Sequence, residues 1–259
     1  MEEYSDYYGF RGNLSFIDQV SIFNIGLENN SKTKNEIFKD FFETLKENKK
    51  MESEYQTRMY YLIFIQDYGE IYHCQLARKR QYDKFEMTPK GVVGTKDQDY
   101  PYVNIFIEIK SQKFLIQSNT KIFENYNTCK DVIQNIMNNN LKYKDINIII
   151  EPIIKEEEFW AIVENEEITS LQFMMCTPNM FDADDDANNL LKDIEKNINA
   201  NHVNMHFSNK NGKLQLNKMG IDSFIKYISA GAGKWKVRAK KGDKKVLHIL
   251  ASKKAKRYI

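Results

Sequence analysis

Proline and glycine are scarce, 4 and 11 of 259 residues, which excludes collagen-like, linker-rich and low-complexity organisation. The three cysteines, Cys74, Cys129 and Cys176, are too few for a disulfide scaffold. No pair has the CxxC spacing of a zinc site, so the expected setting is a reduced cytoplasm. No apolar run approaches the roughly 18–20 residues that cross a bilayer, and no membrane partner is expected. The first ten residues, MEEYSDYYGF, are acidic and aromatic, the opposite of a secretory signal. Net charge is nearly absent as well, with 38 Lys+Arg against 36 Asp+Glu. What is present is ample core material, 42% hydrophobic and 13% aromatic, enough for one large domain or two modest ones.

The small net charge hides an asymmetry. From Lys234 to Ile259 there are eleven Lys or Arg and one acid, Asp243, whereas residues 1–233 carry 27 Lys+Arg against 35 Asp+Glu. An acidic body with a basic end implies a polyanion such as DNA or RNA, or an acidic protein partner, for that end.

Hydrophobic periodicity outlines the elements. Residues 16–27 read as a first strand, and Ser31 opens a helix through about Lys49 with Ile37, Phe38, Phe41, Phe42 and Leu45 on one stripe. Met59–Ile65 and Ile71–Arg80 form a hairpin around Asp67-Tyr-Gly69, and Tyr102–Ile109 pairs with Lys113–Gln117. Met87–Pro101 has few bulky apolar residues and is expected to be a long loop or a subdomain boundary. Helix 127–140 precedes an apolar run, Ile146–Ile150, short enough for a buried central strand. A short helix over Glu157–Val163, a strand over Ser170–Cys176 and a helix over Asp184–Ile198 follow, the last with Ala187, Leu190, Leu191, Ile194 and Ile198 on one face. His202–Ser208 and Lys213–Leu216 flank Asn211-Gly212, which suits a type I′ turn. A helix over Ile221–Ser229 leads into a last, basic hairpin. This order predicts an α+β fold, a largely antiparallel sheet covered by helices, divided into residues 1–98 and 99–259.

The basic hairpin carries the functional expectation. Lys234, Lys236, Arg238 and Lys240 alternate with Trp235, Val237 and Ala239. A strand therefore puts all four cations on one face, roughly 6.6–6.8 Å apart, and the apolar residues on the other. Such a ladder suits a phosphate backbone held mainly by counterion release. Gly242-Asp243 closes the turn, and Lys241, Lys244 and Lys245 add charge, as does the tail Lys253–Arg257. Trp235 would stack on an unpaired base if exposed, although its position opposite the cations favours burial. Arg78-Lys-Arg80 forms a second small basic cluster. The plainer alternative is an edge strand guarded by lysines. Gly231 and Gly233 before Lys234 do not complete a phosphate loop, since Lys234 is followed by Trp235 and position 228 is Ile.

Catalytic constellations are thinner. Glu108-Ile-Lys110 in a strand, with Asp99 nine residues upstream, matches the acid and acid-x-Lys pattern by which Mg²⁺-dependent nucleases hold a metal and activate water. Mg²⁺ is the only cofactor implied, and only by that alternative. Asp182, Asp184, Asp185 and Asp186 stand where a helix begins, where acids favour the dipole, so no metal site is assigned. His202 and His206 in a strand share a face about 13 Å apart, too far to share one ion. Cys74 and Cys176 fall in apolar strands and read as buried rather than reactive.

Three stretches, Met174-Met-Cys-Thr-Pro-Asn179 with the Asp-rich helix start after it, Asn209–Leu216, and Gly231–Val237, about a quarter of the chain, resemble an uncharacterised bacterial family associated with phage-defence neighbourhoods. The resemblance implies a role in antiviral defence and supplies no catalytic residue. The leading expectation is thus a DNA- or RNA-binding protein. The alternatives are the Mg²⁺-dependent nuclease and a non-catalytic interaction or inhibitor module, for instance a homo-oligomer.

Overall fold

The computed structural model describes residues 6–16, 32–141, 146–177, 186–198, 200–209, 213–241, 244–249 and 257–258. Its first part runs β1 (Tyr7–Phe16), α1 (Lys34–Asn48), β2 (Lys50–Tyr55), β3 (Arg58–Asp67), β4 (Ile71–Arg78), β5 (Arg80–Thr88), β6 (Gly91–Asp99), β7 (Tyr102–Glu108), β8 (Lys113–Gln117), α2 (Tyr126–Asn140) and β9 (Ile146–Pro152). The second part runs α3 (Glu156–Asn165), β10 (Glu167–Cys176), α4 (Asp186–Ile198), β11 (His202–Ser208), α5 (Lys218–Tyr227), a wound turn over Ile228–Ala232, β12 (Gly233–Lys241), β13 (Lys244–Ile249) and β14 (Arg257–Tyr258). The fold is α+β and its sheets are antiparallel.

The large sheet has the order β14-β1-β8-β7-β4-β3-β2, and β9 also pairs with β1. The stripe of α1 fills its concave side, and Phe38 meets Phe114 edge-on at 5.9 Å. Thr33 caps α1 in a capping box with Glu36, while Ser31 and residues 17–27 lie outside the described residues. The first strand is thus Tyr7–Phe16, upstream of the expected one.

The sheet curls, and α2 stitches its two ends together with side-chain amides. Toward β9, Asn138 accepts from Ile148 N at 2.7 Å and donates to Ile148 O at 3.0 Å, and Gln134 accepts from Ile150 N at 2.8 Å. Toward β2, Asn135 and Asn139 donate to Ser53 Oγ at 2.9 and 2.6 Å, and Asn140 to Glu52 O at 3.3 Å. The amide-rich run at the end of α2 therefore replaces neighbouring strands. It also corrects the expectation for β9, which pairs with β1 on one side and is capped by a helix on the other. Asn138→Ala would strand both backbone groups of Ile148, and a loss of about 2 kcal/mol is expected in urea unfolding. A loss below about 0.5 kcal/mol would show that water replaces the amide without cost.

Met87–Pro101 is not a loop. β5 and β6 pair from Arg80↔Asp99 to Thr88↔Gly91 as a two-stranded extension of β4 and β7, with Phe85, Met87 and Val92 exposed. A ribbon wetted on both faces needs no apolar alternation, so it has none of the pattern of a half-buried strand. The division at 98/99 falls in this ribbon, while β4 pairs with β7 across it. The hydrophobic cores change over at Ile150–Ile154 instead.

The second core lies under a four-stranded sheet of order β11-β10-β12-β13. β11 pairs with β10 rather than with Lys213–Leu216, which runs without strand pairing. Asn211-Gly212 and Asp182, Asp184 and Asp185 lie outside the described residues. Leu190 and Ile198 of α4 are exposed rather than buried. Asn13 donates to Gly231 O at 2.9 Å, and Ile154 N donates to Ser229 O at 3.0 Å, joining the two sheets at the wound turn. Gly231 has φ 89°, and a Cβ there would stand 2.8 Å from Arg11 Cβ, so the junction requires glycine.

Candidate nucleic-acid interface

β12 begins flush against β10, because a Cβ on Gly233 would lie 2.4 Å from Met174 O. From there the period-2 alternation does what the pattern predicts. Trp235, Val237 and Ala239 are 3%, 0% and 2% exposed and face the second core. Lys234, Arg238 and Lys240 are exposed, and Lys236 is half-buried on the same side. Trp235 packs against Phe159 at 5.4 Å, with the rings at 71°. This removes Trp235 from the binding residues, since a buried ring cannot stack on a base.

The position of β12 in the sheet decides what its lysines are for. Edge strands commonly carry lysine to prevent edge-to-edge pairing. β12 is an inner strand, in register with β10 (Gln172↔Lys236, Ser170↔Arg238) and with β13 (Arg238↔Leu247, Lys240↔Lys245). From Lys236 to Lys240 it has a paired strand on each side and no open edge to guard, so that role does not explain the ladder there.

Nor is the ladder neutralised internally. Among the described residues, no carboxylate oxygen lies within 4.0 Å of a side-chain nitrogen of Lys234, Lys236, Arg238, Lys240 or Lys245. Among the described residues, acids stand near its two ends. Glu167 is the register partner of Lys240. Glu151, whose pKa burial pushes up, feels Lys234 and Lys130 pulling it back down. A groove of about 370 Å³ between β12 and β13 is lined by Thr169, Arg238, Lys240, Lys245 and Leu247. The side chains of Lys241 and Lys244, and the tail from 250 to 256, lie outside the described residues.

Neighbouring strands widen the face. β10 contributes Ser170, Gln172 and Met174, and β11 contributes His202, Asn204, His206 and Ser208. Ser170 Oγ is 2.9 Å from His206 Nε2, and Cys176 Sγ is 3.7 Å from His202 Nδ1. Burial pushes the thiols of Cys74 and Cys176 up to about 12, so both stay protonated and unreactive at neutral pH. The β10 and β11 residues were not singled out from the sequence as a binding surface. Their signal is the polar alternation in His202–Ser208 and in Ser170-Leu-Gln172, which gains meaning only once β10 is known to separate β11 from β12.

The other candidate residues do not join this face. Arg80 gives Asp99 two hydrogen bonds, at 3.0 and 2.6 Å, which hold the Asp99 pKa below the usual carboxylate range. Arg78 and Arg80 belong to the large sheet and its ribbon, not to the sheet of the ladder. Glu108 ends β7, accepts from Ser111 Oγ, and has Lys113 Nζ at 3.8 Å. Lys110 lies in the turn after β7 rather than in the strand. Asp99 lies beyond the far end of β7, a strand of seven residues and thus about 20 Å. Glu108, Lys110 and Asp99 therefore do not form an acid-x-Lys centre.

No family model and no curated protein matches this chain. Among the described residues, no helix is long and apolar enough to cross a membrane.

Proposed function

We propose that this protein binds the phosphate backbone of DNA or RNA on the open face of its four-stranded sheet, with Lys234, Lys236, Arg238, Lys240 and Lys245 as the main contacts. One observation supports this above all: a row of cations that makes no ion pair with a carboxylate among the described residues stands on an inner strand, where edge protection does not account for it. Cations at alternate strand positions fall roughly 6.6–6.8 Å apart, and the phosphates of one duplex strand advance about 3.4 Å along the axis. The ladder thus offers a regular row of charge to the backbone, and recognition is of charge rather than sequence. Together with the resemblance of its second half to the phage-defence-associated family, this suggests a cytoplasmic role in bacterial antiviral defence.

The test is purification without nuclease treatment. Nucleic acid is expected to co-elute at low salt, to be released by high salt, and to yield sequences without a shared motif. Protein that elutes free of nucleic acid at low salt, and that retards neither a DNA duplex nor an RNA in a gel, contradicts the proposal.

A further inference from the structure

His202 and His206 are exposed on the same face of the sheet as the ladder, with one strand between. In register, His206 faces Gln172, which faces Lys236, and Asn204 faces Met174, which faces Lys234. With strands 4.7–4.9 Å apart, β11 stands roughly 10 Å from β12. That is about one Debye length at moderate salt, so charge on the imidazoles acts on the same bound polyanion. The two histidines form a second column beside a permanently charged first one.

Their neighbours on the sheet are residues of β10, β11 and β12. His202 lies beside the Cys176 thiol on β10 and feels Lys234 on β12, and Glu151 of β9 and Lys34 of α1 also act on that thiol. Partial burial first and Lys234 second hold His202 below the ordinary imidazole pKa. His206 meets the neutral Ser170 hydroxyl, with neutral Gln172 in register and Asn204 and Ser208 beside it on its own strand. The other two histidines are engaged elsewhere. His73 stacks on Phe106 at 4.8 Å and bonds Asn104 at 3.0 Å, and His248 Nε2 lies 2.7 Å from Glu166 Oε2.

We propose that His202 and His206 are part of the polyanion site and that their protonation tightens it as pH falls below neutrality. This rests on the backbone-binding function proposed above. Phosphates beside the two rings favour the imidazolium, so the pKa values are higher in the complex than in the free protein. The added affinity is complete below the free values and disappears as pH rises through the bound ones. Because free His202 is held below the ordinary imidazole value, its share of the change begins below that value and extends upward to the value in the complex.

The probe is a rhodamine-labelled 20-base-pair DNA duplex, titrated by fluorescence anisotropy at constant ionic strength. The wild-type affinity is expected to rise about tenfold from pH 8 to pH 6. The affinity of the His202→Gln/His206→Gln double variant is expected to stay flat on acidification, differing by no more than about twofold between pH 8 and pH 6. In ¹H NMR titrations, adding the duplex is expected to raise the pKa of His202 and His206 and to leave His73 and His248 in place. A pH-independent wild type overturns the inference, as does a double variant that keeps the full pH response. Absence of binding at every pH instead defeats the backbone-binding proposal on which it rests. Both substituted residues are exposed strand positions, and an unchanged melting temperature establishes that the double variant is folded.

Discussion

Replacing Lys234, Lys236, Arg238 and Lys240 together by Gln is expected to weaken binding of a DNA duplex on the order of 10³-fold at about 0.1 M salt. The magnitude follows from counterion release: each neutralised phosphate contributes about 0.9 to the slope of log affinity against log salt, and four contacts supply about 3.6 decades between 0.1 M and 1 M. Gln keeps much of each side chain's reach and strand compatibility while removing its charge. Stability should change little, because no ion pair involving these side chains is lost among the described residues. Unchanged affinity in a variant with wild-type circular dichroism would remove the ladder from the interface.

The second large effect separates packing from binding at adjacent residues. Trp235→Ala should cost about 3–5 kcal/mol, the range for emptying a large aromatic site in a core. Trp235 is 3% exposed and closes the contact with Phe159. Trp235→Phe should retain most of that stability and, with the cation face intact, all of the affinity. Urea unfolding and anisotropy on the same two proteins check both halves. A Trp235→Phe protein that is fully folded yet binds tenfold more weakly would show that the indole reaches the nucleic acid.

Elements whose packing is local were legible in the sequence. The α1 stripe, the β3–β4 and β7–β8 hairpins and the cation/apolar alternation of β12 all follow from side-chain periodicity, and all are observed. What the sequence did not reveal depends on contacts between distant segments. Ile146–Ile150 has the composition of a central strand, but Gln134 and Asn138 on α2 take the place of a neighbour. The β5–β6 ribbon has no buried face and so no hydrophobic signature. Glu108 and Lys110 match a spacing pattern, yet a turn begins between them and breaks the shared strand face. The inner position of β12 was equally invisible, since strand order is a matter of long-range pairing, and it is that order which turns a run of lysines from edge protection into a binding surface.

The most direct measurement is a salt titration of duplex affinity, from about 0.05 to 0.3 M, for wild type and the four-Gln variant side by side. Four to five cations on phosphates give a wild-type log–log slope of about −3.6 to −4.5, and the variant should lose about 3.6 of it. Equal slopes for the two proteins would contradict the account, because the charge that holds the polyanion would then lie elsewhere on the molecule.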